Sequence, residues 1–207
     1  MTWWRRNRWA LVLLLPALAL ALAASGVRLQ LFWWSYEPHQ PTSGALGRPM
    51  HFVDHAAYDT HPYVLDVTVT VRSVTRVAVP VSPGHEWTWP TPDGARWWKV
   101  TMQVAADPTT PLSACRLRLL GAAGDEVDYT SRFPGTADTL PVSPCVPDAT
   151  PGPGSASPED LASAATAARP ASYEVSAYVL ASGDFRPSQV RLWWWTPRYV
   201  SVDLPGS

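Results

Sequence analysis

Lysine and asparagine are almost missing from this chain: Lys99 is the only lysine and Asn7 the only asparagine among 207 residues. With one asparagine there is no glycosylation sequon, and the positive charge rests on arginine. Together with abundant alanine and proline, this composition points to a high-GC bacterial genome. Catalytic signatures are missing too: the sequence holds no nucleophile elbow, no zincin helix and no phosphate loop. His85-Glu86 begins like a zincin, but Trp89 stands where the second histidine should be. No cysteine follows the one long apolar run, which excludes a lipid-modified cysteine there. Acids are absent from the start of the chain; all 17 lie beyond that run. Against them stand 12 of the 16 basic residues, once Arg5, Arg6, Arg8 and Arg28 are set aside, a net of about −5. Binding nucleic acid needs a basic face, so nucleic acid is not an expected partner.

What the chain does have begins at "WWRRNRW", Trp3 to Trp9. Trp9 to Val27 then carries no charge, and such a run of about 20 residues can cross a hydrocarbon core as a helix. A second aromatic cluster, Phe32, Trp33, Trp34 and Tyr36, follows about 35 Å further along a helix. Two aromatic belts at that separation fit two membrane interfaces, and Arg5, Arg6 and Arg8 place the N-terminus in the cytoplasm by the positive-inside rule. Pro16 is expected to kink this helix mildly. The competing reading is a cleaved signal peptide ending near Ala24, which would leave Phe32, Trp33 and Trp34 unexplained at a new N-terminus. The expected division is a cytoplasmic tail over 1–8, a transmembrane helix over 9–30, a membrane-proximal linker over 31–47 and an extracytoplasmic domain over 48–207. The lipid bilayer is therefore the first expected partner, and another membrane or cell-envelope protein a second.

In the outer part the dominant period is two. Tyr63, Leu65, Val67, Val69 and Val71 point one way while Asp66, Thr68 and Thr70 point the other, which marks a half-buried strand. Similar runs are Trp97 to Val104, Cys115 to Leu119, Tyr173 to Leu180, Gln189 to Trp194 and Tyr199 to Leu204. Turn signals such as Asp93-Gly94 and Gly121 to Gly124 separate them. Six or more antiparallel strands without a comparable helix give a mainly β fold, an immunoglobulin-like β-sandwich. The 146–172 segment departs from this as a Pro/Ala-rich insertion. Ser157 as cap, Pro158, Glu159, Asp160 and a stop at Pro170 predict a short helix over Pro158 to Ala168. Cys115 and Cys145, the only cysteines, both fall on the outer side and read as one disulfide.

The stretch Asp93 to Tyr129, with Gly94 before an alternating strand at Trp98 to Val104, a strand at Leu117 to Leu119, a turn at Gly124 and Tyr129, resembles the telokin-like, immunoglobulin-fold domains of bacterial lipoproteins and single-pass membrane proteins of unknown function. The chain has Ala105, Ala106 and Asp107 where that family often has asparagine, and the Pro-rich insertion also departs from it. The resemblance implies the fold and transfers no catalytic residue.

Two constellations are candidates for a site. "HFVDHAAYDTH" gathers His51, Asp54, His55, Asp59 and His61; on a strand His51 and His55 share a face, and with His61 folded back three imidazoles would suit zinc or copper. The alternative is that these histidines cap a strand edge. In "SPGHEWTWPTPDG", Trp87 and Trp89 sit on a loop stiffened by Pro83, Pro90 and Pro92, either presented to a partner or folded over an open end of the sandwich to close its core. Asp125 and Glu126 read as solvated acids of a hairpin turn. The expectation is a non-enzymatic binding or accessory module without a cofactor; its rival is a metal-binding or enzymatic ectodomain held near its substrate.

Overall fold

The computed structural model describes residues 2–32, 34–58, 61–82, 85–86, 91–132, 140–165 and 168–205. Helix α1 spans Thr2–Phe32 and continues through Pro16. Its stretch Arg6–Gly26 has a mean hydropathy of 2.1, none of it is buried in the protein, and it is long and apolar enough to cross a membrane by length and composition. The helix begins well inside the segment expected to be a tail, because Arg5, Arg6 and Arg8 are good helix formers and neither glycine nor proline interrupts them there. A single 3-10 turn, Trp34–Tyr36, leads out of it, and Trp34 stacks on His39 with ring centroids 4.3 Å apart.

The rest is two packed sheets. One is four-stranded in the order β2-β3-β6-β9, built from Met50–Tyr58, His61–Val77, Ala95–Ala106 and Ser172–Ser182. The other is five-stranded in the order β1-β11-β10-β7-β8, built from Gln40–Ala45, Arg198–Asp203, Pro187–Trp193, Arg116–Gly121 and Glu126–Asp128. A short ribbon pairs β4, Val81–Ser82, with β5, His85–Glu86. The period of two becomes burial directly: Leu65, Val67, Val69 and Val71 of β3 face Leu117, Leu119, Val190, Leu192, Val200 and Val202 across the sandwich in one core. Leu65, Val67 and Val69 are fully buried.

Several details of the structure depart from the sequence reading or add to it. The sandwich starts at Gln40, inside the segment expected to be a linker: β1, "QPTSGA", pairs with β11 in parallel, so the strands are not all antiparallel. An edge strand with few apolar residues has no alternation to announce it. Helix α2 stops at Ala164 rather than Ala168; its start is as expected, with Ser157 Oγ accepting from the Asp160 N–H. Glu126 belongs to β8 rather than to a turn. Finally, Trp97 points away from the main core, onto the outer side of the four-stranded sheet, where it packs with Tyr178, Leu180, Val77 and Leu140 in a second apolar cluster. Its indole N–H donates to Thr91 Oγ1 at 3.0 Å.

Candidate functional site: an open cleft at the end far from the helix

The register separates the predicted metal ligands. Along β2, Met50, Phe52 and Asp54 are buried while His51 and His55 are exposed, so Asp54 is turned to the opposite face. His51 and His55, four residues apart, lie about 13 Å from each other along the strand. His51 Nε2 is 2.8 Å from Asp66 Oδ1, and Asp54 accepts the His55 backbone N–H at 2.9 Å and lies 3.7 Å from Arg198 Nη1. His61 pairs with Tyr58, in the row of opposite parity to His51 and His55. Among the described residues no three His, Cys, Asp or Glu side chains converge on a point. Asp59, Trp87 and Trp89 lie outside the described residues.

The carboxylates of the β7–β8 hairpin are structural partners. Arg118 is gripped by Asp128 at 2.6 and 3.0 Å and by Glu126 at 2.6 Å, and its guanidinium lies 5.5 Å from the centroid of the Trp193 ring. The Asp128 hydrogen bond holds Arg118 above the ordinary arginine range. Arg191 lies 3.7 Å from Glu126 and over Tyr199.

The two ends of the sandwich are built differently. The end where α1 joins β1 is sealed. Cys115 and Cys145 form a disulfide there, with Cα atoms 5.9 Å apart. Trp194 donates to Leu112 O at 3.1 Å, and Tyr173 donates to Cys145 O at 2.9 Å. Arg169, 1% exposed, ties the 146–172 insertion to the loop after β6: it donates to Asp107 O and Thr110 O at 2.8 Å each and to Pro151 O at 3.2 Å. Its guanidinium sits 5.8 Å from the Tyr173 ring centroid. Burial pulls Arg169 below the usual arginine range and pushes Tyr173 up to about 12. At Gly152, where φ is +79°, an added Cβ would come within 3.0 Å of the Arg169 Nη1.

Among the described residues the opposite end is open. Between the sheets lies a cleft of about 440 Å³ lined by Leu46, Val74, Trp98, Ala122, Arg186, Pro187, Leu204 and Pro205. Leu46, Ala122, Arg186, Pro187, Leu204 and Pro205 sit where strands of the five-stranded sheet end or begin at this end, and Val74 and Trp98 lie three residues inside β3 and β6. Trp98 lies on the inward face of β6 with Val100 and Met102, but the five-stranded sheet stops short of covering it; Phe185 meets its edge at 6.5 Å. Among the described residues the Trp98 indole N–H is buried without a hydrogen-bond partner, as are Ser143 Oγ and Arg169 Nε, an omission that costs about 1–3 kcal/mol each.

Three arginines neighbour Trp98, Arg186 as a lining residue of the cleft and the other two by strand register. Arg76 is its direct cross-strand neighbour on β3, and directly opposed residues project to the same side at about 5 Å. Arg96 precedes it by two on β6, and Arg186 lines the cleft from the other sheet. Arg96 and Arg186 donate only to nearby backbone carbonyls, of Ala95 and of Gly183 and Phe185. Among the described residues the ion pairs of arginine are those of Arg118, Arg191 and Arg198, none of them at this cleft. Asp184 feels Arg186, but its carboxyl is held below the usual range chiefly by a hydrogen bond from Ser182. Sequence alternation shows that Trp98 faces inward; that the facing sheet ends before reaching it is a property of the pairing alone.

A second hollow, of about 420 Å³, lies beside the disulfide and is lined by Cys115, Arg118, Asp128, Tyr129 and Trp193 among others. Arg118 and Asp128 there pair with each other and the Tyr129 hydroxyl donates to Pro141 O, and the far cleft, with its mainly apolar lining, is the better site.

The sequence matches no known protein family and no curated protein. Among solved structures, the chain is similar to the secreted protein MPT63 of Mycobacterium tuberculosis, at 14% identity and a TM-score of 0.42 over 79% of this chain and 97% of that one. It is also similar to an uncharacterised β-sandwich protein of Clostridium difficile 630, at 8% identity and a TM-score of 0.38 over 81% of this chain and 95% of that one. At these scores the likeness assigns neither a family nor a function.

Proposed function

We propose that this chain is a single-pass membrane protein that holds an immunoglobulin-like β-sandwich outside the cytoplasmic membrane as a binding module, with its ligand end at the open cleft. The observation that carries this reading is the asymmetry of the sandwich. The end that joins the helix is closed by a disulfide, a buried arginine and an insertion, whereas the other, among the described residues, leaves Trp98 half-buried and its arginines with no carboxylate within ion-pair distance. The six residues of β1 alone separate the two ends by about 20 Å, so a helix seated in a bilayer presents the cleft outward. The two facing sheets, with β7, β10 and β11 in one and β6 and β9 in the other, support a β-sandwich of the immunoglobulin-like kind. Binding rather than catalysis is the favoured role because the cleft offers apolar surface and cations, without a nucleophile beside a base.

The test uses the full chain, labelled with 5-fluorotryptophan and reconstituted in lipid nanodiscs, with the Trp98 resonance assigned by Trp98→Phe. A panel of neutral, anionic and cationic aromatic fragments should include some that shift Trp98 saturably. If no fragment of any charge does so up to about 1 mM, which corresponds to a binding free energy of only about −4 kcal/mol, the cleft is not a ligand site.

A further inference from the structure

Resting on the reading of the cleft as a binding site, we propose that its ligand class is an amphipathic anion: a carboxylate or comparable oxyanion carried on a single aromatic or short acyl body. The cleft's floor and walls, Leu46, Val74, Trp98, Pro187, Leu204 and Pro205, are apolar, and its volume of about 440 Å³ falls among those of small-molecule sites. That surface selects the body of the ligand. The head is selected by Arg76 and Arg186, one from each sheet, with Arg96 beside them.

Charge makes the choice of sign. The outer part carries a net of about −5, from 17 acids against 12 bases, yet the arginines here have no carboxylate within ion-pair distance among the described residues. On the outer face of the five-stranded sheet the opposite holds, since Arg118 and Arg191 reach Glu126 and Asp128. Guanidinium forks that meet backbone carbonyls but no ion-paired carboxylate, beside an apolar floor, favour an oxyanion over a neutral or cationic head. Neither half of the site suffices alone: an apolar body without a head leaves the arginines unused, and a free inorganic anion gains nothing from the apolar walls.

The experiment titrates three probes and one ion against the nanodisc-held full chain, reading the Trp98 fluorine signal. The probes are 4-benzoylbenzoate, neutral benzophenone and a trimethylammonium-bearing benzophenone; the ion is inorganic phosphate. The proposal predicts that 4-benzoylbenzoate binds about tenfold or more tighter than benzophenone, and that the cationic probe binds weakest. It also predicts that phosphate alone leaves the Trp98 signal in place. Ultraviolet cross-linking of 4-benzoylbenzoate should label the peptides holding Leu46, Trp98 or Pro187. In an Arg76→Gln, Arg186→Gln double variant, whose changes are at exposed positions and whose melting should match the parent, the preference for the anion should disappear while benzophenone binding stays. Equal binding of the neutral and anionic probes, or an anion preference that survives the double variant, overturns the anionic class while leaving a ligand site standing. Phosphate shifting Trp98 as strongly as 4-benzoylbenzoate overturns the amphipathic part. Silence from every probe removes the binding site itself.

Discussion

Replacing Arg169 with methionine should cost the fold about 3–4 kcal/mol. The guanidinium is 1% exposed and donates three hydrogen bonds, at 2.8, 2.8 and 3.2 Å, to carbonyls on two separate segments. Bonds from a charged donor contribute about 1.5–3 kcal/mol each, and a partly compensating gain comes from no longer burying a cation. That burial is unfavourable, as the lowered pKa of Arg169 shows. The three carbonyls left behind decide the sign, since Asp107, Thr110 and Pro151 have their oxygens turned toward a group that is no longer there. Arg169→Lys keeps the charge but has one ammonium where two segments need a fork, so about half the loss should remain. The measurement is guanidinium chloride unfolding of the full chain in detergent micelles, followed by tryptophan fluorescence. The exposed Arg132→Met serves as a control expected within about 0.5 kcal/mol of the parent. A loss below about 1 kcal/mol for Arg169→Met would refute the claim that this residue fastens the insertion to the sandwich.

Other outcomes are equally definite. Tyr173, pushed up to about 12 by burial, is neutral in the folded state at a pH where the unfolded chain, with a phenol pKa of about 10, has begun to ionise. Its share of stability is therefore intact below about pH 10 and lost as pH rises toward 12, at most about 2 kcal/mol; Tyr173→Phe should flatten that part of the alkaline melting curve. Reducing the Cys115–Cys145 bond, which closes a loop of sequence separation 30, should lower stability by about 3–4 kcal/mol in the chain-entropy model. Intact mass after alkylation without reductant should show no added alkyl groups. A reporter active only outside the cell should work when fused after Ser207, and N-terminal sequencing should find the chain starting before Trp9 rather than near Ser25.

Much of the fold could be read from the sequence wherever burial leaves a period. The strands at Tyr63 to Val71 and Tyr173 to Leu180 announced themselves because one side of each faces the core. Ser157 and Pro158 announced a helix start because capping is local chemistry. β1 did not, since an edge strand held by backbone pairing to β11 needs no apolar side chains. The histidines looked gathered because they are close in sequence, but the strand spaces His51 from His55 and the hairpin register sets His61 in the other row. The cleft was invisible for a related reason. Trp98, Arg76 and Arg186 are far apart along the chain, and only the β3–β6 register together with the short facing sheet brings them to one place. Trp97 and Trp98, adjacent in sequence, go to opposite sides of one strand, one to a second apolar cluster and the other to the cleft.

The account stands on the cleft being held away from a bilayer by α1, and paramagnetic broadening measures this directly. With nitroxide-bearing lipid in the nanodisc, the fluorine signals of Trp3 and Trp9 in the fluorotryptophan-labelled chain should broaden strongly, while Trp98 stays sharp and still shifts with 4-benzoylbenzoate. Broadening of Trp98 to the same degree as Trp3 and Trp9 would place the cleft against the membrane and contradict the account.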